Sequence, residues 1–420
     1  MDKFIIAGGK KLSGSVRVDG SKNAVLPIIT AALLIDSGTT VINGVPNLAD
    51  VHTTVDVLTH LGAECNYDPG AQRLSINAEN LKGYEVPYDM MRKMRASFLV
   101  LGALLGRFGE ARISLPGGCS LGPRPVDLHL KGLGRLGVRF KEEGGYIIGK
   151  TGRLTGDLVY FDRPTHTGTE NLLSAAVVAT GRTVLINAAA DPEVADVADF
   201  LNAAGARIEG AGTPHVRVTG VKKLKAVEYT VIPDRLEAGT LMMAAAITGG
   251  YLELTHVRAD HLEAVTMKLL EMGVTVETAK SKITVRGPAR LSAADVTTFP
   301  YPGFPTDLQA GIMALLTVAS GNSRITDTVF PQRFAHAMEL GRMGAEVRLA
   351  TGEAYVAGVE RLKAASVMAS DIRAGTGLVL AALAAEGTSE ILRVYHIERG
   401  HHQIEQKLQK LGADIQRVRV

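Results

Sequence analysis

The 420-residue chain has no tryptophan, only two cysteines and 5% aromatic residues. Cys65 and Cys119 cannot by themselves build a disulfide framework or a zinc site, which fits a reducing compartment. With so few aromatics, the core has to be filled by small aliphatic side chains. Long apolar runs are missing as well: the longest, Ala96 to Leu105, is bracketed by Arg95 and Arg107 and falls far short of the ~20 residues that span a bilayer. The opening Met1-Asp2-Lys3-Phe4-Ile5-Ile6 lacks the apolar centre of a signal peptide, so the chain reads as cytoplasmic. A formal charge of +3, from 46 Lys and Arg against 43 Asp and Glu, gives little drive toward nucleic acid.

Glycine, by contrast, is abundant: 46 of the 420 residues, above the usual ~7%. The length suits two domains, since single cores stop growing near roughly 250–300 residues. An apolar-Gly-small signature recurs at Leu61-Gly62-Ala63, Leu136-Gly137-Val138, Ala204-Gly205-Ala206, Met272-Gly273-Val274, Met343-Gly344-Ala345 and Leu411-Gly412-Ala413. Successive glycines lie 75, 68, 68, 71 and 68 residues apart, so the chain is six copies of one unit.

Each copy opens with an Ala-rich apolar segment suited to a buried helix: Asn23 to Leu34, Ala96 to Leu105, Asn171 to Ala179, Ala238 to Thr248, Leu308 to Ala319 and Gly377 to Ala385. A β-branched run follows, such as Thr39 to Ile42 or Thr183 to Ile186, and reads as a strand. Next comes an amphipathic helix, with Val51, Val55 and Leu58 in the first copy and Leu262, Val265, Leu269 and Met272 in the fourth. The signature Gly sits where that helix should end in a left-handed cap. Two short strands close the unit. The sixth copy has room for only one of them before Val420, while Phe4 to Ala7 and Ser15 to Val18 are strand-like pieces belonging to no copy. The amino terminus is therefore expected to supply the missing strand. This places residues 1–20 with 233–420 in one domain and 21–232 in the other, with a ligand site expected in the cleft between them.

The residues that start the buried helices are polar: Lys22-Asn23, Arg95, Thr167-Gly168-Thr169, Asp234-Arg235, Asp307 and Asp371-Ile372-Arg373. Helix starts with added cations attract anions, although Asp234, Asp307 and Asp371 are equally suited to capping. The stretch Pro116-Gly117-Gly118-Cys119, leading to Arg124-Pro125-Val126-Asp127-Leu128-His129, forbids regular structure and lets backbone approach a ligand. Nearby cations would lower the Cys119 thiol pKa and make it a competent acid or nucleophile near neutrality, whereas Cys65 lacks such neighbours and reads as a small buried hydrophobe. Arg333 and Arg399 hold like places in successive copies. The pair His401-His402 reads as solvated, because neighbours on a helix face apart. No Walker loop or dinucleotide fingerprint follows a strand, which leaves nucleoside triphosphates and NAD unsupported.

Met94-Arg95-Ala96-Ser97, the Cys119 loop through His129, Phe304-Pro305-Thr306-Asp307, Arg333-Phe334 and Tyr395-His396-Ile397 to Arg399-Gly400 together resemble the UDP-N-acetylglucosamine enolpyruvyl transferase family. The resemblance runs over the whole chain. It implies an α/β fold, a two-domain inside-out α/β barrel. It also implies transfer of the enolpyruvyl group of phosphoenolpyruvate to the 3′-hydroxyl of UDP-N-acetylglucosamine, opening peptidoglycan synthesis, with no metal or organic cofactor. By motif, Lys22, Arg124 and Arg399 would hold the anionic groups of phosphoenolpyruvate. Cys119 would be the general acid and the target of the epoxide antibiotic fosfomycin. Asp307 would take the sugar hydroxyl proton. Asn23, Arg95, Arg124, Pro125, Val126, Asp127, Leu128 and Val329 would contact the sugar nucleotide, Arg333 would bind substrate, and Asp371 with Arg373 would complete the closed site.

One segment departs from the family pattern. Arg163-Pro164-Thr165-His166-Thr167-Gly168-Thr169 stands where many members carry Lys and then Ser-Val-Gly-Ala-Thr. Arg163 keeps a cation and Thr165 a hydroxyl for the sugar nucleotide, but His166 and Thr167 are bulkier. Rival readings are the sister transferase acting on shikimate 3-phosphate, in which Asn-Ala-Gly-Thr would replace Met94 to Ser97 and no Cys loop would be present, and a non-catalytic UDP-sugar-binding duplicate. The duplicate would not need Lys22, Cys119, Asp307 and Arg399 together.

Overall fold

The computed structural model describes residues 2–91, 98–114 and 126–419. The described chain forms two compact units, one of residues 20–232 and one of 1–19 with 233–420.

In the 20–232 unit, helices Lys22–Ala31, Val100–Phe108 and His166–Ala176 touch one another. Almost every residue of the first and third is buried, Leu, Ile, Val and Ala alike. A helix apolar on all sides has no solvent face to offer, so it goes to the middle and the sheets cover it. Small residues allow the close approach. A Cβ on Gly102 would lie 2.0 Å from the Asn171 carbonyl oxygen, so no larger residue fits there. Helices Arg235–Thr248, Gln309–Leu316 and Ile372–Ala384 play the same part in the other unit.

The described residues form six four-stranded sheets, three in each unit. In the first, Glu228–Thr230 runs parallel to Thr39–Asn43, which pairs antiparallel with Arg73–Asn77 and then Glu64–Asp68. Leu74 and Ile76 alternate with more exposed neighbours, the period-2 pattern of a sheet with one buried face. All six sheets repeat this order of one short parallel edge strand and a three-stranded antiparallel set. The parallel strands other than Ser13–Arg17, for example Glu85–Val86 and Ser366–Met368, are too short to leave a sequence pattern.

The sixth sheet takes its third strand from Asp2–Ala7, between Thr388–Leu392 and Asp414–Arg419. Ser13–Arg17 then pairs parallel with Tyr251–Thr255, in the sheet of the fourth copy. Thus the last sheet of the unit hands the chain on to the first. The 20–232 unit does the same when His215–Thr219 of its third sheet is followed by Glu228–Thr230 of its first. The two units are circular permutations of one ring of three.

The signature glycines all have positive φ: Gly62 at 100°, Gly137 at 94°, Gly205 at 102°, Gly273 at 84°, Gly344 at 87° and Gly412 at 96°. Only glycine adopts this conformation without strain. Gly62 is doubly constrained, since a Cβ would also lie 2.8 Å from the Lys82 nitrogen.

Several helices begin earlier than their apolar runs indicate. The third starts at His166 rather than Asn171 and the sixth at Ile372 rather than Gly377, because Thr165 and Asp371 cap them with side-chain acceptors. His401 is 2% exposed, against the expectation of a solvated residue. The segment is not one helix: the four-residue helix Tyr395–Glu398 gives way to a turn, and Gln403 at φ 45° redirects the chain, so the facing argument does not apply.

Candidate active site

In the 20–232 unit, Ser21 caps helix Lys22–Ala31 through its hydroxyl, which accepts from the Ala24 amide at 3.4 Å. This places Lys22 in the first turn at 8% exposure, its Nζ 2.6 Å from Oδ2 of Asp50. Asp50 is 4% exposed and lies in the first turn of helix Ala49–His60, where the free amides favour a carboxylate. The lysine is thus fixed by a buried counter-charge that the sequence motifs did not single out. Asn23 follows it, half-buried.

Cys119, Arg124, Pro125 and Arg95 lie outside the described residues. The described chain resumes with Val126 before helix Asp127–Arg135, with Asp127 exposed and Leu128 buried. Thr165 caps helix His166–Ala176, accepting from the Gly168 amide at 3.2 Å, and Arg163 and Thr167 are exposed beside it. His166 is turned inward: its Nε2 is 2.9 Å from Oε1 of the buried Glu170, and its Nδ1 is 3.9 Å from Asp191 Oδ1. Burial alone would lower the imidazole pKa, but Glu170, Asp191 and Glu193 outweigh it and hold it up at about 10. One imidazolium therefore balances a group of carboxylates, and the bulk that His166 adds is directed inward at Glu170.

The other unit gathers Asp307, Arg333, Asp371 and Arg373. Asp307 sits in the turn Thr306–Leu308 and does not cap, contrary to one expectation. Its Oδ1 accepts from Arg333 Nη1 at 2.6 Å and its Oδ2 from Arg373 Nη2 at 3.2 Å. Both arginines are 7% exposed. Arg333 is accordingly a buried partner rather than a surface residue, and its guanidinium remains charged: Asp307, Asp371 and Asp327 outweigh the opposing effect of burial. Asp371 caps helix Ile372–Ala384, accepting from the amides of Arg373 at 2.9 Å and Ala374 at 3.1 Å. Gly400 leaves room for the Ile372 side chain beside Arg373, since a Cβ there would lie 2.4 Å from Ile372 Cγ2. Arg399 follows the short helix Tyr395–Glu398, half-buried.

One further residue organises this group without a sequence signal. Asp327, 1% exposed, accepts from the Thr298 and Thr306 hydroxyls at 2.8 Å each, and from the amides of Val329 and Phe330 at 3.0 and 2.7 Å. It ties the Asp307 turn to the Val329 loop. His336 is buried, and burial, opposed by Asp371, lowers its pKa to about 4, so it is neutral near pH 7. A carboxylate held between two buried guanidinium groups is a positioned acceptor that can orient a hydroxyl.

A family model described as EPSP synthase (3-phosphoshikimate 1-carboxyvinyltransferase) matches residues 6–408, and the chain belongs to this enolpyruvyl transferase family. Among curated relatives, the UDP-N-acetylglucosamine 1-carboxyvinyltransferase of Solidesulfovibrio magneticus is 52% identical, covering 100% of both chains. That of Desulfovibrio desulfuricans is 51% identical, covering 99% of each. The crystal structure of the enolpyruvyl transferase NikO from Streptomyces tendae matches with a TM-score of 0.89 at 26% identity, over 99% of each chain. EPSP synthase from Acinetobacter baumannii matches with a TM-score of 0.79 at 20% identity over 100% of both, a likeness of fold alone. No described helix is long and apolar enough to cross a membrane.

Proposed function

We propose that the chain transfers the enolpyruvyl group of phosphoenolpyruvate to the 3′-hydroxyl of UDP-N-acetylglucosamine in the cytoplasm, releasing phosphate, as the committed step of peptidoglycan synthesis. The observation that carries this reading is identity of 51–52% over essentially the full length to relatives bearing that activity in their names. The sister reaction on shikimate 3-phosphate is supported at the level of fold, at 20% identity.

In this reading the sugar hydroxyl adds to C2 of phosphoenolpyruvate while a proton reaches the C3 methylene, giving a tetrahedral ketal. Loss of a C3 proton and of phosphate then restores the double bond. Cys119 delivers the proton to C3, and Asp307 receives the one leaving the hydroxyl. Lys22, Arg124 and Arg399 hold the phosphate and carboxylate. Asn23, Arg95, Arg124 to Leu128, Arg163, Thr165, His166, Thr167, Val329 and Arg333 serve the sugar nucleotide, and Asp371 and Arg373 set the closed site. The fixed Asp307 between Arg333 and Arg373 supports its part, because a base must be held before it can be aimed.

The role of Cys119 is tested with fosfomycin. Attack of its thiolate on an epoxide carbon breaks the C–O bond, and the alkoxide released takes up a proton. Incubation with fosfomycin should leave one covalent adduct by intact-protein mass spectrometry, and Cys119→Ser should carry none. An adduct that persists in Cys119→Ser would place the reactive thiol elsewhere, at Cys65.

A further inference from the structure

Thr167 is exposed near the start of helix His166–Ala176, and its Oγ1 lies 3.2 Å from Nε2 of His129. His129 is 5% exposed on helix Asp127–Arg135, its ring edge-on to Phe98 at 5.1 Å between centroids. Its other nitrogen, Nδ1, is 3.0 Å from Nδ2 of the fully buried Asn171. The orientation of that amide is dictated by backbone at both ends. Asn171 Oδ1 receives the Gly102 N–H, which can only donate, and Nδ2 donates to the Phe98 carbonyl at 3.0 Å, which can only accept. A flipped amide would lose both bonds.

The amide therefore presents an N–H to His129, so Nδ1 must be the acceptor and the ring proton resides on Nε2. Nε2–H then donates to Thr167 Oγ1. The hydroxyl accepts toward the protein, and its own proton is the one it offers outward. Thr169, two residues on, spends its proton on the Thr165 carbonyl at 2.7 Å, the usual back-bond of a helical threonine. Thr167 makes no such bond among the described residues.

We infer that Asn171 and His129 are positioning residues whose hydrogen-bond chain, anchored on Phe98 and Gly102, fixes Thr167 as an outward donor to an anionic oxygen of the sugar-nucleotide diphosphate. The inference rests on the proposed contact of residues 163–167 with that substrate. It assigns polarity within the segment that departs from the family pattern, and it gives Gly102 a second purpose, because any side chain there would displace the Asn171 amide.

The test is steady-state kinetics on the full-length protein with both substrates varied. Thr167→Val should raise KM for UDP-N-acetylglucosamine about tenfold, the loss of one hydrogen bond to a charged group, with kcat and KM for phosphoenolpyruvate changed less than about twofold. Thr167→Ser, which keeps the hydroxyl, should stay near wild type. His129→Leu should raise the same KM about tenfold, and His129→Gln, which keeps an N–H near the Nε2 position, by less than about threefold. The double variant Thr167→Val/His129→Leu should be no worse than either single one, since both remove one interaction. Nitrogen-15 shifts of the His129 ring should report the Nε2–H tautomer, a signature independent of whether the His129 variants fold. A proton on Nδ1, additive effects in the double variant, or an unchanged KM in Thr167→Val would overturn the relay. Arg163→Ala separates the two ideas: a raised KM there beside an inert Thr167→Val sinks the relay alone, and no effect in either sinks the segment's contact with substrate.

Discussion

Replacing Asp307 with Asn should lower kcat by about 10²–10⁴-fold, the usual range for removing a positioned acid or base. Asn has nearly the same shape but no charge, and it presents an NH₂ group where one of the two guanidinium groups now finds an oxygen. The fold should tolerate this, because Asp307 is 28% exposed at its side chain and Asp327 and Asp371 remain near Arg333. A pure base would leave KM for phosphoenolpyruvate nearly unchanged, so the loss should fall on kcat and on kcat/KM equally. A purified, folded Asp307→Asn with kcat within about threefold of wild type would remove Asp307 from the chemistry.

Lys22→Met should have two separable effects. Lys22 and Asp50 are 10% and 5% exposed at their side chains and 2.6 Å apart, so deleting the lysine removes a close counter-charge from a buried carboxylate. Loss of one partner of a buried pair costs about 3–5 kcal/mol. Substituting both, as Lys22→Met/Asp50→Asn, removes the stranded charge and should recover most of the unfolding midpoint in urea. Activity should behave differently. With a charge-assisted contact to phosphoenolpyruvate lost, KM for that substrate should rise about 10–100-fold in the single and in the double variant alike. If the double variant regains activity along with stability, Lys22 is structural only.

The parts of this molecule that were legible in its sequence are those where one residue type has one physical use. Gly62, Gly137, Gly205, Gly273, Gly344 and Gly412 could be placed at helix ends because a left-handed helix end strongly favours glycine, and all six adopt positive φ. Asp2–Ala7 could be matched to the last copy because that copy lacked one strand, and it pairs there. The apolar runs begin about five residues late where capping, not hydrophobicity, sets the boundary, as at Thr165 and Asp371, but the polar residues Thr167 and Asp371 were legible at those starts. The two- and three-residue edge strands, such as Glu228–Thr230, carry no periodicity and were invisible, whereas the five-residue edge strand Ser13–Arg17 was legible as Ser15 to Val18. In the candidate site, motif residues were legible and their partners were not. Nothing in sequence ties Asp50 to Lys22 or Asp327 to the Asp307 turn. Asn171 looked like the first residue of an apolar run, and its hydrogen bonds reach back to Phe98, Gly102 and His129. Such pairings depend on which helices meet, a property of the folded ring rather than of any local pattern.

The identity of the acceptor separates the two enolpyruvyl transfers. It is tested most directly by phosphate release from phosphoenolpyruvate on the purified chain, with UDP-N-acetylglucosamine and shikimate 3-phosphate offered separately. Release that requires the first and is absent with the second is the predicted result. Release driven by shikimate 3-phosphate, or a folded protein inert toward UDP-N-acetylglucosamine, would contradict it.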